Sequence, residues 1–314
     1  MPPQGPDPGP TYAWPDINSH FGIIDIAGFP KDRFYWYKSW LKEYPRGEGI
    51  VHLLPQHWNW NAGDKVDVWA YSNADAVELF VNNRSRGVRS QTKYAHVEWP
   101  NETFVAGEIR AVAYARSDTR VGGGSSGGGN ISNTGGSSGN SGGSSDNSGL
   151  TVIATQTVRT TGPPTHLRAS VKDGVGAAGI VAGCNDLALV QVEVLDAHGW
   201  LVAGPLGDGG KVNVTFAVEG EGAVYVGGGN GDPSCHVSDL SARRPAYHGL
   251  VLGVVRADVV SRNGGDDISG GGDRTVHVRV SSPGLQGSSV TIKVIDPTPS
   301  NDTTPWWCKG EPQL

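Results

Sequence analysis

The run His52-Leu-Leu-Pro-Gln-His-Trp-Asn-Trp60 places His57, Trp58 and Trp60 close together. Flat rings of this kind stack on the C–H faces of pyranoses, and the same rings fill the core of a sandwich. Packing is the expected role, since the cluster sits at the first strand of a domain. A second grouping, Gly227-Gly-Gly-Asn-Gly-Asp232, has the glycine content of a phosphate cradle. No helix opening with a Lys-Ser/Thr pair follows it, so a nucleotide site is not expected. Asp232 with Asn230 offers oxygen ligands to calcium but lacks the wider carboxylate set, and the segment reads as a turn. Arg243-Arg244 reads as a solvated or salt-bridged pair. Cys184, Cys235 and Cys308 are too few and too scattered for a zinc site or a disulfide scaffold, although one bridge stays open. Neither a metal nor a cofactor is expected.

Composition narrows the function classes further. The chain has 314 residues, enough for two or three domains, and its 47 Gly and 20 Pro imply much loop and linker. A hydrophobic share of 37% with 10 Trp still supports packed cores. A formal charge of −6 argues against nucleic acid as a partner, which would need a basic stripe. No run of 18 apolar residues exists, so no membrane span is expected, and the first residues lack the apolar core of a signal peptide. Five Asn-X-Ser/Thr triplets, at Asn83, Asn101, Asn130, Asn213 and Asn301, would permit glycosylation in a secreted or vesicular compartment. The compartment itself is not indicated.

The elements that would position these groups follow from periodicity. Residues 18–40 read as one buried strand followed by one aromatic helix. Pro30 suits a first helical turn, and Phe34, Tyr37, Trp40 and Leu41 lie on one helical face; Pro45 and Gly47 end it. From Gly49 the period becomes two: Val66, Val68 and Ala70 alternate with polar or aromatic neighbours, as do Val77, Leu79 and Val81. Residues 107–115 and 150–159 supply two further strands of the same small sandwich. Between 117 and 149 the chain is nearly all Gly, Ser and Asn, which cannot bury apolar surface and reads as a flexible insertion within a hairpin. Residues 161–165 form a joint, and strands recur at 188–195, 212–218, 250–255 and 276–280, again as an antiparallel sandwich. A second low-complexity insertion is expected at 264–272.

A lone strand and helix cannot bury themselves, since a parallel strand needs neighbours on both edges and its helix needs a sheet to cover. The motifs Phe21-Gly22-Ile23-Ile24-Asp25 and Gly28-Phe29-Pro30-Lys31-Asp32 resemble the last strand and helix of the catalytic (β/α)8 barrel in glycoside hydrolase family 2, of the β-galactosidase type. The runs 52–60 and 71–81 resemble the immunoglobulin-like domain that follows the barrel in that family. Gly227-Gly-Gly-Asn-Gly-Asp-Pro233, with Arg243-Arg244 and Tyr247-His-Gly-Leu250, resembles its second C-terminal sandwich. The resemblance implies a mainly β fold: two immunoglobulin-like antiparallel β-sandwiches preceded by a single βα remnant of a (β/α)8 barrel. The expected divisions are a remnant at 1–45, a first sandwich at 46–162 carrying the insertion at 117–149, a second sandwich at 163–296 and a tail at 297–314.

In the resembled family hydrolysis uses two Glu residues on earlier barrel strands, about 5–5.5 Å apart in a retaining enzyme. No residue of this chain matches either. The chain is therefore expected to begin inside a longer enzyme, to be inactive alone, and to have the missing barrel as its intramolecular partner, with carbohydrate as substrate only in that context. The ends of barrel strands and the loops around them face the active site, so the resemblance implies Trp14, Asn18, His20 and Asp25 as substrate-binding candidates. Trp14 would stack on a sugar face while Asn18 or His20 bonds a hydroxyl; the other reading makes Trp14 and His20 packing residues. The rival reading of the whole chain is a free-standing tandem sandwich that binds glycans or proteins. It leaves residues 18–40 without a purpose, because their aromatic side chains would then be exposed.

Overall fold

The computed structural model describes residues 14–17, 20–116, 149–172, 176–182, 186–204, 212–258 and 274–295. The chain divides into two compact units, one made of Met1–Gln4 with Pro30–Thr160, the other of Gly5–Phe29 with Thr161–Leu314. The stretch read as one remnant, 1–45, is thus shared between the two.

The first unit contains helix α1 (Asp32–Leu41) and seven strands: β1 (Val51–Leu54), β2 (Lys65–Ser72), β3 (Ala76–Val81), β4 (Arg84–Ser90), β5 (Val97–Thr103), β6 (Glu108–Arg116) and β7 (Leu150–Arg159). They form a three-stranded sheet, β1-β2-β5, and a four-stranded sheet, β4-β3-β6-β7, with every pairing antiparallel. The alternation read along the sequence is the burial pattern: Val66, Val68 and Ala70 point inward from β2, and Val77, Leu79 and Val81 from β3. Trp58 and Trp99 are fully buried between these faces. The Trp58 indole N–H donates to the Val105 carbonyl at 3.1 Å, and its ring meets Phe104 edge-on. Trp58 is thus a core residue, while His57 and Trp60 form a ring pair 4.8 Å apart beside it. Strands β6 and β7 pair from Glu108↔Arg159 to Arg116↔Leu150, on either side of the Gly/Ser-rich stretch.

The second unit contains β8 (His166–Val171), β9 (Ile180–Val181), β10 (Leu187–Leu195), β11 (Asn213–Glu219), β12 (Ala223–Gly229), β13 (Arg243–Pro245), β14 (Leu250–Ala257), β15 (Arg274–Ser281) and β16 (Ser288–Ile295). Sheet β12-β14-β10-β8 and sheet β13-β11-β15-β16-β9 face one another over an aliphatic core that includes Ile180, Val190, Val192, Val251, Val276, Val278 and Ile292. All pairings are antiparallel except that of β9 with β16. The fold is mainly β with antiparallel sandwiches, as the period-two patterning requires.

Two local readings need correction. The strand expected at 21–24 is not a strand element: Asp25 closes a turn there, its backbone N–H donating to the Phe29 carbonyl at 2.9 Å. Among the described residues no segment offers it a ladder, and backbone groups left without a strand partner turn back on themselves. The helix forms where expected, but its inward face is not the apolar one. Leu41 is 72% exposed and Tyr37 is exposed too, whereas Ser39 is buried and Tyr35 stacks flat on His52 with ring centroids 3.8 Å apart. The His52 Nε2–H donates to Asp32 Oδ1 at 3.0 Å, so Asp32, Tyr35 and Ser39, at i, i+3 and i+7, face β1. Burial pushes the Tyr35 and Tyr71 hydroxyls above their ordinary range, with Asp32 adding to the effect. The aromatic residues of the other helical face gather instead around Tyr94, with Trp36 donating its indole N–H to the Tyr94 carbonyl at 3.2 Å.

Candidate functional site

Three of the four candidate residues lie on an arm, described over residues 14–17 and 20–29, that runs over the loop after β12. The loop is shaped by its glycines. Gly229 has the Ala27 side chain where its own Cβ would meet it at 3.1 Å, and Gly231, at φ +79°, leaves room that the Asp25 carboxylate fills. A side chain at Gly231 would collide with the Asp25 carboxylate and one at Gly229 would press on Ala27, and the left-handed backbone at Gly231 adds its own penalty for other residues. Ala27 and Phe29 then pack on Leu252, with Leu189 and Leu250 beside them. Lys172 anchors the end of the arm, its Nζ donating to the Gly28 carbonyl at 2.6 Å and lying 5.0 Å above the Phe29 ring. At the arm's start, the Ile17 N–H donates to the Pro233 carbonyl at 2.8 Å and His236 Nε2–H donates to the Pro15 carbonyl at 2.8 Å.

The four candidates fare differently. Trp14 is 80% exposed and rests on His236, ring centroids 4.3 Å apart. His20 pairs with Asp16, four residues earlier in sequence, Nε2 to Oδ2 at 3.2 Å. Asp25 spends Oδ1 on the backbone N–H groups of Ala27 and Phe29, both at 2.9 Å, which makes it the cap of the turn. Asn18 lies outside the described residues. Sequence reading gave Asp16 and His236 no role and named Tyr247 only within a motif of the second sandwich. Burial raises the Tyr247 hydroxyl above its usual range, and the carboxylates of Asp232, Asp25 and Asp16 add to that shift. A histidine more than two hundred positions from the arm carries no signal in the chain that would link them.

The loop itself is a turn held by its own side chains. Asn230 donates Nδ2–H to the Pro245 carbonyl at 2.9 Å and accepts the Asp232 N–H at 3.1 Å. Asp232 Oδ1 accepts both the backbone N–H and the hydroxyl of Ser234, at 2.9 and 2.7 Å. Arg244 is buried and staples the following loop, donating to the Ser238 carbonyl at 2.7 Å and to Asp239 at 3.2 Å. Cys235 is a free thiol beside it, while Cys184 and Cys308 lie outside the described residues. Among the described residues no three His, Cys, Asp or Glu side chains converge as metal ligands, and no helix is long and apolar enough to cross a membrane. What the arrangement offers is an exposed aromatic ring beside a carboxylate–imidazole pair, which suits hydrogen bonding and stacking, while the neighbouring Asp25 and Asp232 carboxylates hold the turns beside it.

Residues 175–291 match the profile of the glycoside hydrolase family 2 C-terminal domain 5, and residues 63–122 match a domain of unknown function (DUF4982). The β-galactosidase BoGH2A of Bacteroides ovatus is 34% identical over 250 residues, which covers 79% of this chain and 24% of that protein. The chain belongs to glycoside hydrolase family 2. A β-glucuronidase of Formosa agariphila is 26% identical over 279 residues, covering 88% of this chain and 22% of its own length. The fold agrees: a β-glycosidase from Bacteroides vulgatus superposes with a TM-score of 0.66 at 21% identity, over 90% of this chain and 29% of that one. The family 2 chain described here therefore spans about a quarter of the length of the curated relatives it matches.

Proposed function

We propose that this chain forms the C-terminal accessory part of a retaining β-glycosidase, of β-galactosidase or β-glucuronidase type, and does not hydrolyse glycosides by itself. The observation that carries this reading is how the carboxylates at the arm are used. Asp25 and Asp232 are committed to backbone amides and a hydroxyl, and Asp16 is held by His20. Among the described residues each of these three carboxyl groups already has a structural partner, whereas a retaining mechanism needs two carboxyl groups flanking the scissile bond. In the intact enzyme the arm would line an outer part of the sugar site, with Trp14 as a stacking face and His20 as a hydroxyl partner. The rival reading, a free-standing binding protein, is weakened by the arm's exposed apolar side chains: Phe21 is 64% exposed and Ile24 and Ile26 about half so.

The test is to assay the purified 314-residue chain against 4-nitrophenyl β-galactoside and β-glucuronide, and in parallel to weigh the native product in its source cells. No turnover by the short chain, with a native mass several times 32.9 kDa, is the expected result. Turnover that vanishes in the Asp16→Asn or Asp25→Asn variant would overturn the proposal.

A further inference from the structure

Of the five glycosylation triplets, three fall on described residues, and the fold separates them. Asn83 is the second residue of the two-residue loop between β3 and β4. Asn82 and Asn83 have φ of +49° and +62°, the type I′ geometry that hairpins favour. Asn82 is consumed: its Oδ1 accepts the Glu108 N–H at 2.8 Å and its Nδ2 donates to the Ala106 carbonyl at 3.0 Å. Asn83 stands exposed at the tip, touched through Oδ1 by Arg110 at 3.4 Å, and among the described residues its amide nitrogen donates to nothing. Asn101 sits on a bulge of β5, where Pro100 and Asn101 stand against Asp67 while the ladder shifts register. It too has a positive φ, +57°, and is exposed. Its backbone N–H is bound by Asp67 Oδ1 at 2.9 Å, which leaves the side chain directed by the bulge and not by the ladder. Asn213 differs. It opens β11 half-buried opposite Pro245, and its triplet's Thr215 is paired to strands on both sides.

The two outward-facing triplets share one region of the first unit. β4 and β5 are the terminal strands of their sheets, and Arg86 of β4 pairs with Glu102 of the Asn101 triplet, Nε to Oε2 at 3.2 Å. Every residue of β4 is exposed. An exposed edge strand presents unpaired backbone groups to other chains, and folded proteins cover such edges.

We propose that Asn83 and Asn101 are N-glycosylation sites whose glycans shield this open edge, and that Asn213 is not an acceptor. The donor is a polyprenyl-diphosphate-linked oligosaccharide. A bond forms between the asparagine Nδ2 and the anomeric carbon of the first sugar, and the bond from that carbon to the diphosphate oxygen breaks. The Nδ2 proton leaves and the diphosphate carries away the electron pair, so no oxidant or reductant is required. This inference does not depend on the hydrolase reading, since a glycan can be found or missed on a protein of either activity.

The test is made on the native protein, whose proteolytic peptides are weighed before and after treatment with peptide-N-glycosidase. The peptides bearing Asn83 and Asn101 are expected only after treatment, with asparagine converted to aspartate, and the Asn213 peptide in both samples unmodified. Unmodified Asn83 or Asn101 in the untreated digest overturns the assignment at that position. A glycan on Asn213 overturns the geometric criterion. The variants N83G and N101G, produced by secretion from a glycosylating host, keep the positive φ and so preserve the turn and the bulge. Each is expected to lose one glycan's worth of mass, and an unchanged mass in either one counts against the proposal.

Discussion

At the scale of single residues the arm depends on two absences of a side chain. Gly231 adopts φ +79° with the Asp25 carboxylate filling the space of its missing Cβ, so Gly231→Ala must displace that carboxylate and strain the backbone together. A penalty on the order of 1–3 kcal/mol is expected for the strain, and the arm, which carries less buried surface than the sandwich, should yield first. Hydrogen exchange is expected to show faster exchange at Ala27 and Phe29, whose amides lose Asp25, with β10 and β14 unchanged. Equal protection in the variant would show that Asp25 finds another position without freeing the arm. None of this was legible along the chain: Asp25 and Gly231 are each ordinary in their own neighbourhoods.

At the scale of elements the sheet β4-β3-β6-β7 holds a titratable group whose direction is clear. Burial, then the hydrogen bond to Glu78 at 2.9 Å and the charge of that carboxylate, push the Tyr114 hydroxyl up to about 12. Its unfolded value lies near 10, so the neutral phenol is favoured in the folded state. A raised pKa contributes stability that is fully present below the unfolded value and is lost as pH rises through the folded one. Denaturant titrations between pH 10 and 12 should therefore show the first unit losing stability, and Tyr114→Phe should flatten that slope. An identical slope in the variant would assign the loss to other groups. The same sheet makes a claim about chain length. Because Arg116 and Leu150 are cross-strand partners, replacing residues 117–149 with Asn-Gly should close the hairpin and raise stability by about 1–3 kcal/mol, through the smaller loop entropy. Thermal unfolding of the shortened chain measures this, and a lower midpoint would argue that the stretch contributes contacts of its own.

At the scale of the whole molecule, an arm with Phe21, Ile23, Ile24 and Ile26 facing solvent should make the 314-residue chain self-associate when produced alone. Light scattering over a concentration series is expected to show a rising mean mass, and the double variant Phe21→Ser with Ile24→Ser should lower it; a monomer at all concentrations would refute the expectation. The architecture was legible beforehand because a half-buried strand writes its two faces into alternate positions, so Val66, Val68, Val77 and Leu79 announced their sheets one residue at a time. Helix α1 was legible in extent but not in orientation, since its inward face is set by a hydrogen bond and a ring stack with His52 and not by apolar side chains. The strand expected at 21–24 failed for a related reason: strand formation is a property of a pair, and local pattern cannot supply the partner. Composition and periodicity alone thus determined that the chain builds antiparallel sandwiches, because burial of alternate side chains is a local demand. Only the tertiary structure decided that Asp25 caps a turn beneath Gly231, that His236 supports Trp14 and that Asn83 and Asn101 face outward, because those outcomes depend on residues far apart in the chain that are brought together by folding.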